Sequence, residues 1–304
     1  MSARAATLRQ SSSVVQRRGS ETILATYGKT DWRVAYRDCT DIAETVAGIL
    51  YGWNVRHEPL DPSSMPIATI ARLEKRYSWR SPGMAKPLEW RRSPPETRMD
   101  VVCDIHDVFF DWFLADRPDY LCLHGAATCL GGGLVLFPCV GKAGKSILTA
   151  ALARAGHQVY CDDVLAIEPR RNRGFAFGLA PRLRKPLPDT LGRELRTFID
   201  ERSGFTSGRW LYLKLRRGEI APFGRTAPIK AIVLLDRKPA GAARLKTIDE
   251  GAMLKELLAQ NFACSEPPLA IFERLYAITR GARHHLLTYS TAEAAADLIG
   301  REFG

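Results

Sequence analysis

The fold is decided by residues 133–163, GLVLFPCVGKAGKSILTAALARAGHQVYCDD. An apolar run, GLVLFP, feeds straight into the turn GKAGKS at 141–146. An alanine-rich amphipathic segment, SILTAALARAG, follows and closes at Gly156, after which HQVYC starts another apolar run. Strand, glycine turn, helix, strand reads as a βαβ unit. A turn of this kind offers unhindered backbone N–H groups, and the helix N-terminus adds partial positive charge, so the combination suits a phosphate. In the pattern GxxxxGK[ST], Lys145 reaches the β and γ phosphates, the Ser146 hydroxyl binds magnesium, and Gly144 lets the backbone approach closely. The first glycine of the pattern is missing, because Cys139 stands there, which leaves Gly141 to supply the turn. Val140, Gly141, Lys142, Ala143, Gly144, Lys145 and Ser146 are therefore the expected cradle for ATP with Mg2+. The plainer alternative is a glycine-containing loop that only caps a helix.

A triphosphate site also needs carboxylates near the metal, supplied by the end of a neighbouring strand. Asp162 and Asp163 directly follow VYC. Adjacent strand residues point to opposite faces, so both can serve one site only if the strand has ended and the chain is turning. One Asp would then face the metal and the other accept a proton; the bland reading of the pair is a turn or helix cap. His124 closes the strand YLCLH, and a lone histidine there is more often a structural hydrogen-bonding residue than a catalyst.

Working outward, YLCLHGAATCL and GLVLFPC flank Gly131, Gly132 and Gly133, a hairpin signal. VVCDIHDVFFDWFLAD predicts a helix ending near Pro118. Downstream come a basic loop RRNRG, a helix near TLGRELRTFIDE, strands in WLYLKL and IKAIVLLDR, helices in EGAMLKELLAQNF and PLAIFERLYAIT, a strand HHLLTYS, and a last helix TAEAAADLIG. Upstream, TILATYG and WRVAYRD suggest strands and CTDIAETVAGILYGW a helix with Thr40 or Asp41 as N-cap. Residues 57–98 are rich in proline and charge and read as a connecting region around one short helix, although short strands in this stretch would extend the N-terminal module. The expected organisation is a mobile tail at 1–20, a small αβ module and linker at 21–98, and a larger domain at 99–304.

With 304 residues, 46% hydrophobic and 25% charged, the chain can bury a substantial core. It has no run of about 18 apolar residues, and its opening lacks the apolar centre of a secretory signal. A cytoplasmic protein without a membrane span is expected. Seven cysteines without CxxC pairs disfavour a disulfide scaffold or zinc cluster and read as reduced, mostly buried thiols. The net charge of +11 attracts polyanions. The basic residues are dispersed, however, which favours a basic surface with an anionic ligand over a dedicated nucleic-acid groove.

The block LHGAATCLGGGLVLFPCVGKAGKSILTAALARAGHQVYCDDVLAI resembles the catalytic core of the HPr kinase/phosphorylase family of bacterial serine kinases. The order carries the resemblance: a strand ending in His-Gly, a hairpin, the phosphate loop, its helix, and a strand ending in Asp-Asp. APRLRKPLP, AIVLLDR and HHLLTYSTAEAAADLI look like the shorter relatives of that family, some of which modify ribosomal peptides. The resemblance implies an α/β fold with a P-loop, HPr-kinase-like core of mixed sheet and flanking helices. It implies an ATP- and magnesium-dependent serine kinase acting on a peptide or protein, such as a ribosomal peptide precursor, with a tendency to homo-oligomers. By residue, Asp162 would be the base, Asp163 would hold the metal and Lys145, and His124 would sit near phosphate and acceptor. Arg182, Arg184 and Lys185 fall where relatives carry basic residues that meet phosphate or an acidic acceptor. Cys139 and Lys142 depart from the family pattern, and the segment tied to its phosphorylase half-reaction finds no match. A regulatory nucleotide-binding module or an NTPase without transfer are the competing classes.

Overall fold

The computed structural model describes residues 21–30, 32–61, 63–74, 76–80, 97–138, 143–169, 171–262 and 266–304. The expected tail at 1–20, together with Cys139, Val140, Gly141, Lys142 and Cys264, lies outside them. The described residues form a mixed α/β protein with three sheets.

In the N-terminal module, β1 (Thr22–Tyr27) and β2 (Trp32–Arg37) form an antiparallel pair, followed by α1 (Thr40–Gly48). Three strands follow, β3 (Val55–Pro59), β4 (Ala68–Leu73) and β5 (Arg76–Arg80), giving the sheet order β3-β1-β2-β4-β5. Strands thus occupy the part of 57–80 that is described and extend the N-terminal module, while residues 81–96 of the expected connecting region lie outside the described residues. Ala68 and Ile70 are buried at alternate positions, as a strand with one face in the hydrophobic core requires, and a helix would not keep both inward. The N-cap of α1 is Cys39, without a side-chain cap. Asp41 is instead paired with Arg72 at 2.6 Å and Arg98 at 3.4 Å.

Helix α2 (Arg98–Asp116) begins with a reciprocal capping box between Thr97 and Asp100. Its buried side combines aliphatic residues with Phe109, Phe110, Trp112 and Phe113, and it joins the module to the rest of the chain. Phe109 lies 5.0 Å from Tyr27, 5.5 Å from Trp32 and 5.6 Å from Trp53, ring centre to ring centre. Phe113 lies 5.4 Å from Phe175 of the larger domain. One continuous hydrophobic cluster therefore crosses the sequence boundary near residue 98. Truncating its centre, Phe109→Ala, is expected to destabilise the protein by about 3–5 kcal/mol, the usual cost of emptying a fully buried aromatic site. Urea titration followed by tryptophan fluorescence checks this, and a loss below about 1 kcal/mol would show that the cluster does not bind the parts together.

The hairpin forms as expected from β6 (Leu121–Leu130) and β7 (Gly133–Pro138), turning through Gly131 and Gly132 at φ 52° and 74°. α3 (Lys145–Arg154) follows, then β8 (Gln158–Cys161) and β9 (Val164–Ile167). Both β8 and β9 pair antiparallel with β6, which itself runs antiparallel to β7, so β7 and β8 share a direction. β10 (Arg173–Phe175) continues this sheet. A small sheet of β11 (Arg182–Arg184), β12 (Ser203–Thr206) and β13 (Trp210–Leu213) follows, with α4 (Arg193–Glu201) inserted. The large sheet is completed by β14 (Thr226–Arg237), β15 (Arg244–Thr247) and β16 (Arg283–Tyr289). α5 (Glu250–Gln260) and α6 (Pro268–Arg280) precede β16, and α7 (Ala292–Phe303) closes the chain.

Alternation along β7 explains why this sheet is buried on both sides. Val135 and Phe137 enter the cluster made with α3, α4 and α7, while Leu134 and Leu136 enter the one made with α5 and α6. β7, β14 and β16 run parallel, so Pro138, Arg237 and Tyr289 mark one common edge. No helix among the described residues is long and apolar enough to cross a membrane. Among the described cysteines, Cys39, Cys103, Cys122 and Cys161 are buried free thiols and Cys129 is half-buried.

Candidate functional site at the N-terminus of α3

The edge where the parallel strands end is also where α3 begins, and a crevice there is the usual ligand position in α/β sheets. Gly144 is the N-cap of α3 with φ 91°, a left-handed conformation that side chains disfavour. A Cβ on it would meet the Tyr289 hydroxyl at 2.7 Å. That hydroxyl donates to the Ala143 carbonyl at 2.8 Å, so the end of β16 holds the turn into α3. Gly144→Ala is expected to destabilise by about 2 kcal/mol, from strain at positive φ together with the displaced tyrosine. In a double-mutant cycle with Tyr289→Phe the two losses should be less than additive; full additivity of the two denaturation energies would separate Tyr289 from the turn.

Lys145, the first residue of α3, is only 7% exposed. A buried ammonium needs compensating groups, and it lies 3.2 Å from His124 Nε2. The same His124 nitrogen is 3.1 Å from Asp163 Oδ1. One ring nitrogen can donate to the carboxylate or accept from the ammonium, not both, so one of these contacts is purely electrostatic. His124 does not close a strand, as its sequence suggested. It sits inside β6, because Gly125–Leu130 continues in pairing with Gly133–Pro138. Its partner across the sheet is Val164, immediately after the acid pair, which explains the closeness.

Asp162 and Asp163 occupy a bend between β8 and β9. The turn that would let both carboxylates face one site is therefore present. Asp162 is 5% exposed and accepts the Arg182 backbone N–H at 2.8 Å; the Ser146 hydroxyl also hydrogen-bonds it. Burial, reinforced by the negative charge of Asp163, pushes the Asp162 carboxyl up to about 7 despite those hydrogen bonds. Asp163 behaves oppositely. Burial alone would raise it, but the His124 hydrogen bond and the Arg182 charge outweigh that and hold it well below the ordinary carboxylate range. The two neighbours thus share a site with strongly divergent proton affinities, a pattern frequent where proton transfer is carried out.

Arg182, at the start of β11, ties the pair together. Its backbone serves Asp162, while its guanidinium lies 3.6 Å from Asp163 and 3.5 Å from Asp107 of α2. Sequence alone marked Arg182 as one of three basic residues; nothing local distinguished it from Arg184 or Lys185. Asp107 and Tyr289 were missed. Asp107 lies in an ordinary amphipathic helix, and Tyr289 could have been found as the last residue of a strand that ends at the site edge. On the inner side of Arg182, Tyr212 contacts the His106 ring at 3.4 Å, and burial with the nearby Arg182 charge lowers His106 to about 3, leaving it neutral.

Lys145, Arg182 and the N-terminus of α3 can hold an anion, and the adjoining carboxylates with the Ser146 hydroxyl can hold a hard divalent cation. Magnesium takes oxygen donors, commonly one or two carboxylates completed by phosphate and water, so this donor set fits it. Among the described residues no cluster of three or more His, Cys, Asp or Glu side chains forms a self-sufficient metal site. A cavity of about 710 Å³ lined by Gly28, Lys29, Trp32 and Arg117 includes none of these groups.

No protein-family model matches this chain, and no curated protein matches it. Among solved structures, the HPr(Ser) kinase/phosphatase from Coxiella burnetii is similar over 59% of this chain and 91% of that chain, with 14% identity and a TM-score of 0.30.

Proposed function

We propose that this protein binds ATP with magnesium at the N-terminus of α3 and transfers the γ-phosphoryl group to a hydroxyl, a serine, of a peptide or protein. The observation that carries the reading is the meeting of Lys145 and Ser146 with Asp162, Asp163 and His124 around one strand-to-helix turn. Phosphoryl transfer asks a protein mainly for positioning and charge stabilisation. Residues 140–146 are the proposed triphosphate cradle, Lys145 is the cation for the β and γ oxygens, and magnesium supplies further neutralisation of phosphate charge when bound. Asp162 orients the acceptor hydroxyl and takes its proton, for which a carboxyl near 7 is well matched. Asp163 holds the metal side with Ser146, and His124 lies between Lys145 and Asp163.

One contact supports the exchanged assignment of the acids: Ser146 hydrogen-bonds Asp162. In that version Asp162 serves magnesium and Asp163 the acceptor. Magnesium titrations of the two Asn variants separate the versions, because only loss of the metal-side carboxylate raises the magnesium requirement.

The reading is tested by following ADP and phosphopeptide together over a panel of serine peptides. Equal amounts of both are expected. ADP without phosphopeptide identifies an NTPase, and bound ATP with neither product identifies a regulatory module.

A further inference from the structure

Beside the acid pair, three guanidinium groups gather on one indole. The Cζ atoms of Arg182, Arg184 and Arg209 lie 4.9, 5.2 and 5.3 Å from the centre of the Trp210 ring. Arg182 and Arg184 share a face of β11 because alternate strand residues do, and Arg184 pairs directly with Trp210 across β13. Arg182 is neutralised by Asp107 and Asp163. Arg184 and Arg209 are exposed, and among the described residues neither forms an ion pair with a carboxylate. Lys185 adds a further ammonium whose acceptors are neutral, the Ser207 carbonyl at 3.0 Å and the Thr206 hydroxyl at 3.4 Å. Like charges held side by side without counter-charge repel, and the indole compensates only in part. This ridge therefore carries unbalanced positive charge that begins at the acid pair and runs outward along β11.

We propose that this ridge docks the acceptor, and that the acceptor is an acidic segment with Asp or Glu a few residues from the hydroxyl that receives phosphate. The docking rests on charge complementarity; the hydroxyl rests on the kinase reading above. An extended peptide advances about 3.3 Å per residue, so a carboxylate two residues from a hydroxyl at the acid pair reaches as far as the step from Arg182 to Arg184 along β11. A nucleic acid is less well matched, since its phosphates engage cations spread along a longer track, whereas these guanidiniums crowd around a single ring.

The test uses the full chain and two dye-labelled peptides read by fluorescence anisotropy: a serine flanked by aspartates, and the same peptide with asparagines in their place. The aspartate peptide is expected to bind at least about tenfold tighter, with the advantage shrinking as salt rises. The double variant Arg184→Gln with Arg209→Gln should erase the difference while ATP binding stays unchanged, and Arg184→Glu with Arg209→Glu should invert it; the unchanged ATP binding also shows that both variants are folded. Equal binding of the two peptides, or a preference that survives both double variants, overturns the proposal. So does a single-stranded oligonucleotide that binds tighter than the aspartate peptide and is lost in the same variants, which makes the ridge a nucleic-acid surface. If the aspartate peptide binds as expected yet gains no phosphate from ATP and magnesium, the docking surface stands and the kinase reading falls. If both peptides are phosphorylated with equal KM, the kinase reading stands and the docking surface falls.

Discussion

Lys145→Ala is expected to weaken ATP binding by about 100-fold or more and to reduce phosphate transfer to background. A hydrogen bond to a charged group contributes about 1.5–3 kcal/mol, and Lys145 is placed to make more than one to the phosphates. The change also removes a buried cation beside His124 and Asp163, so the fold has to be monitored. Lys145→Met keeps the aliphatic volume and serves as the control: it should lose nucleotide binding to the same degree while keeping the wild-type circular dichroism. Calorimetric titration with ATP and magnesium reads both variants, and ATP binding within about threefold of wild type in either would remove Lys145 from the site.

Asp162→Asn is expected to cost about 10²–10⁴ in transfer while nucleotide binding changes little, because a neutral amide cannot take the acceptor proton. The pH dependence gives the sharper signature. With the wild-type carboxyl near 7, kcat/KM should rise about tenfold per pH unit below that value and level off above it, and the residual rate of the Asn variant should lack this step. Stability runs the other way. A carboxyl raised by burial stabilises the fold while protonated; that contribution is complete below the ordinary carboxylate value and is lost as pH rises through about 7. The Asn variant should therefore melt above the wild type at pH 8, with the gap narrowing toward pH 5. A variant that melts lower at pH 8 would show that the Arg182 and Ser146 hydrogen bonds need the carboxylate more than burial opposes it.

The parts of this site that were legible in sequence are those with a local signature. Gly131 and Gly132 announce a hairpin because only glycine takes two successive positive φ values easily, and the spacing of Gly144, Lys145 and Ser146 declares its strand-to-helix turn. Asp162 and Asp163 were legible as a pair that requires a turn, and the bend is there. What failed was whatever depends on pairing between distant segments. β3, VRHEP, is an edge strand with four exposed residues, so no alternation marks it. His124 looked like a strand end because Gly125 follows it, yet the glycine is needed where a Cβ would lie 3.0 Å from the Phe137 carbonyl across the hairpin. Arg182 gained its position from the register of β11 on β13 and from a carboxylate 75 residues earlier, Asp107; neither leaves a mark in RLRKPLP.

The central claim, that this constellation moves a phosphoryl group, is tested most directly by incubating the protein with ATP labelled in the γ-phosphoryl oxygens, magnesium and the peptides encoded beside its gene, and reading the peptides by mass spectrometry. The account predicts one added phosphoryl group carrying the label on a serine, formed by the wild type and absent with Lys145→Ala. Label that appears only in free phosphate, or in no product while the protein binds no ATP, would contradict it.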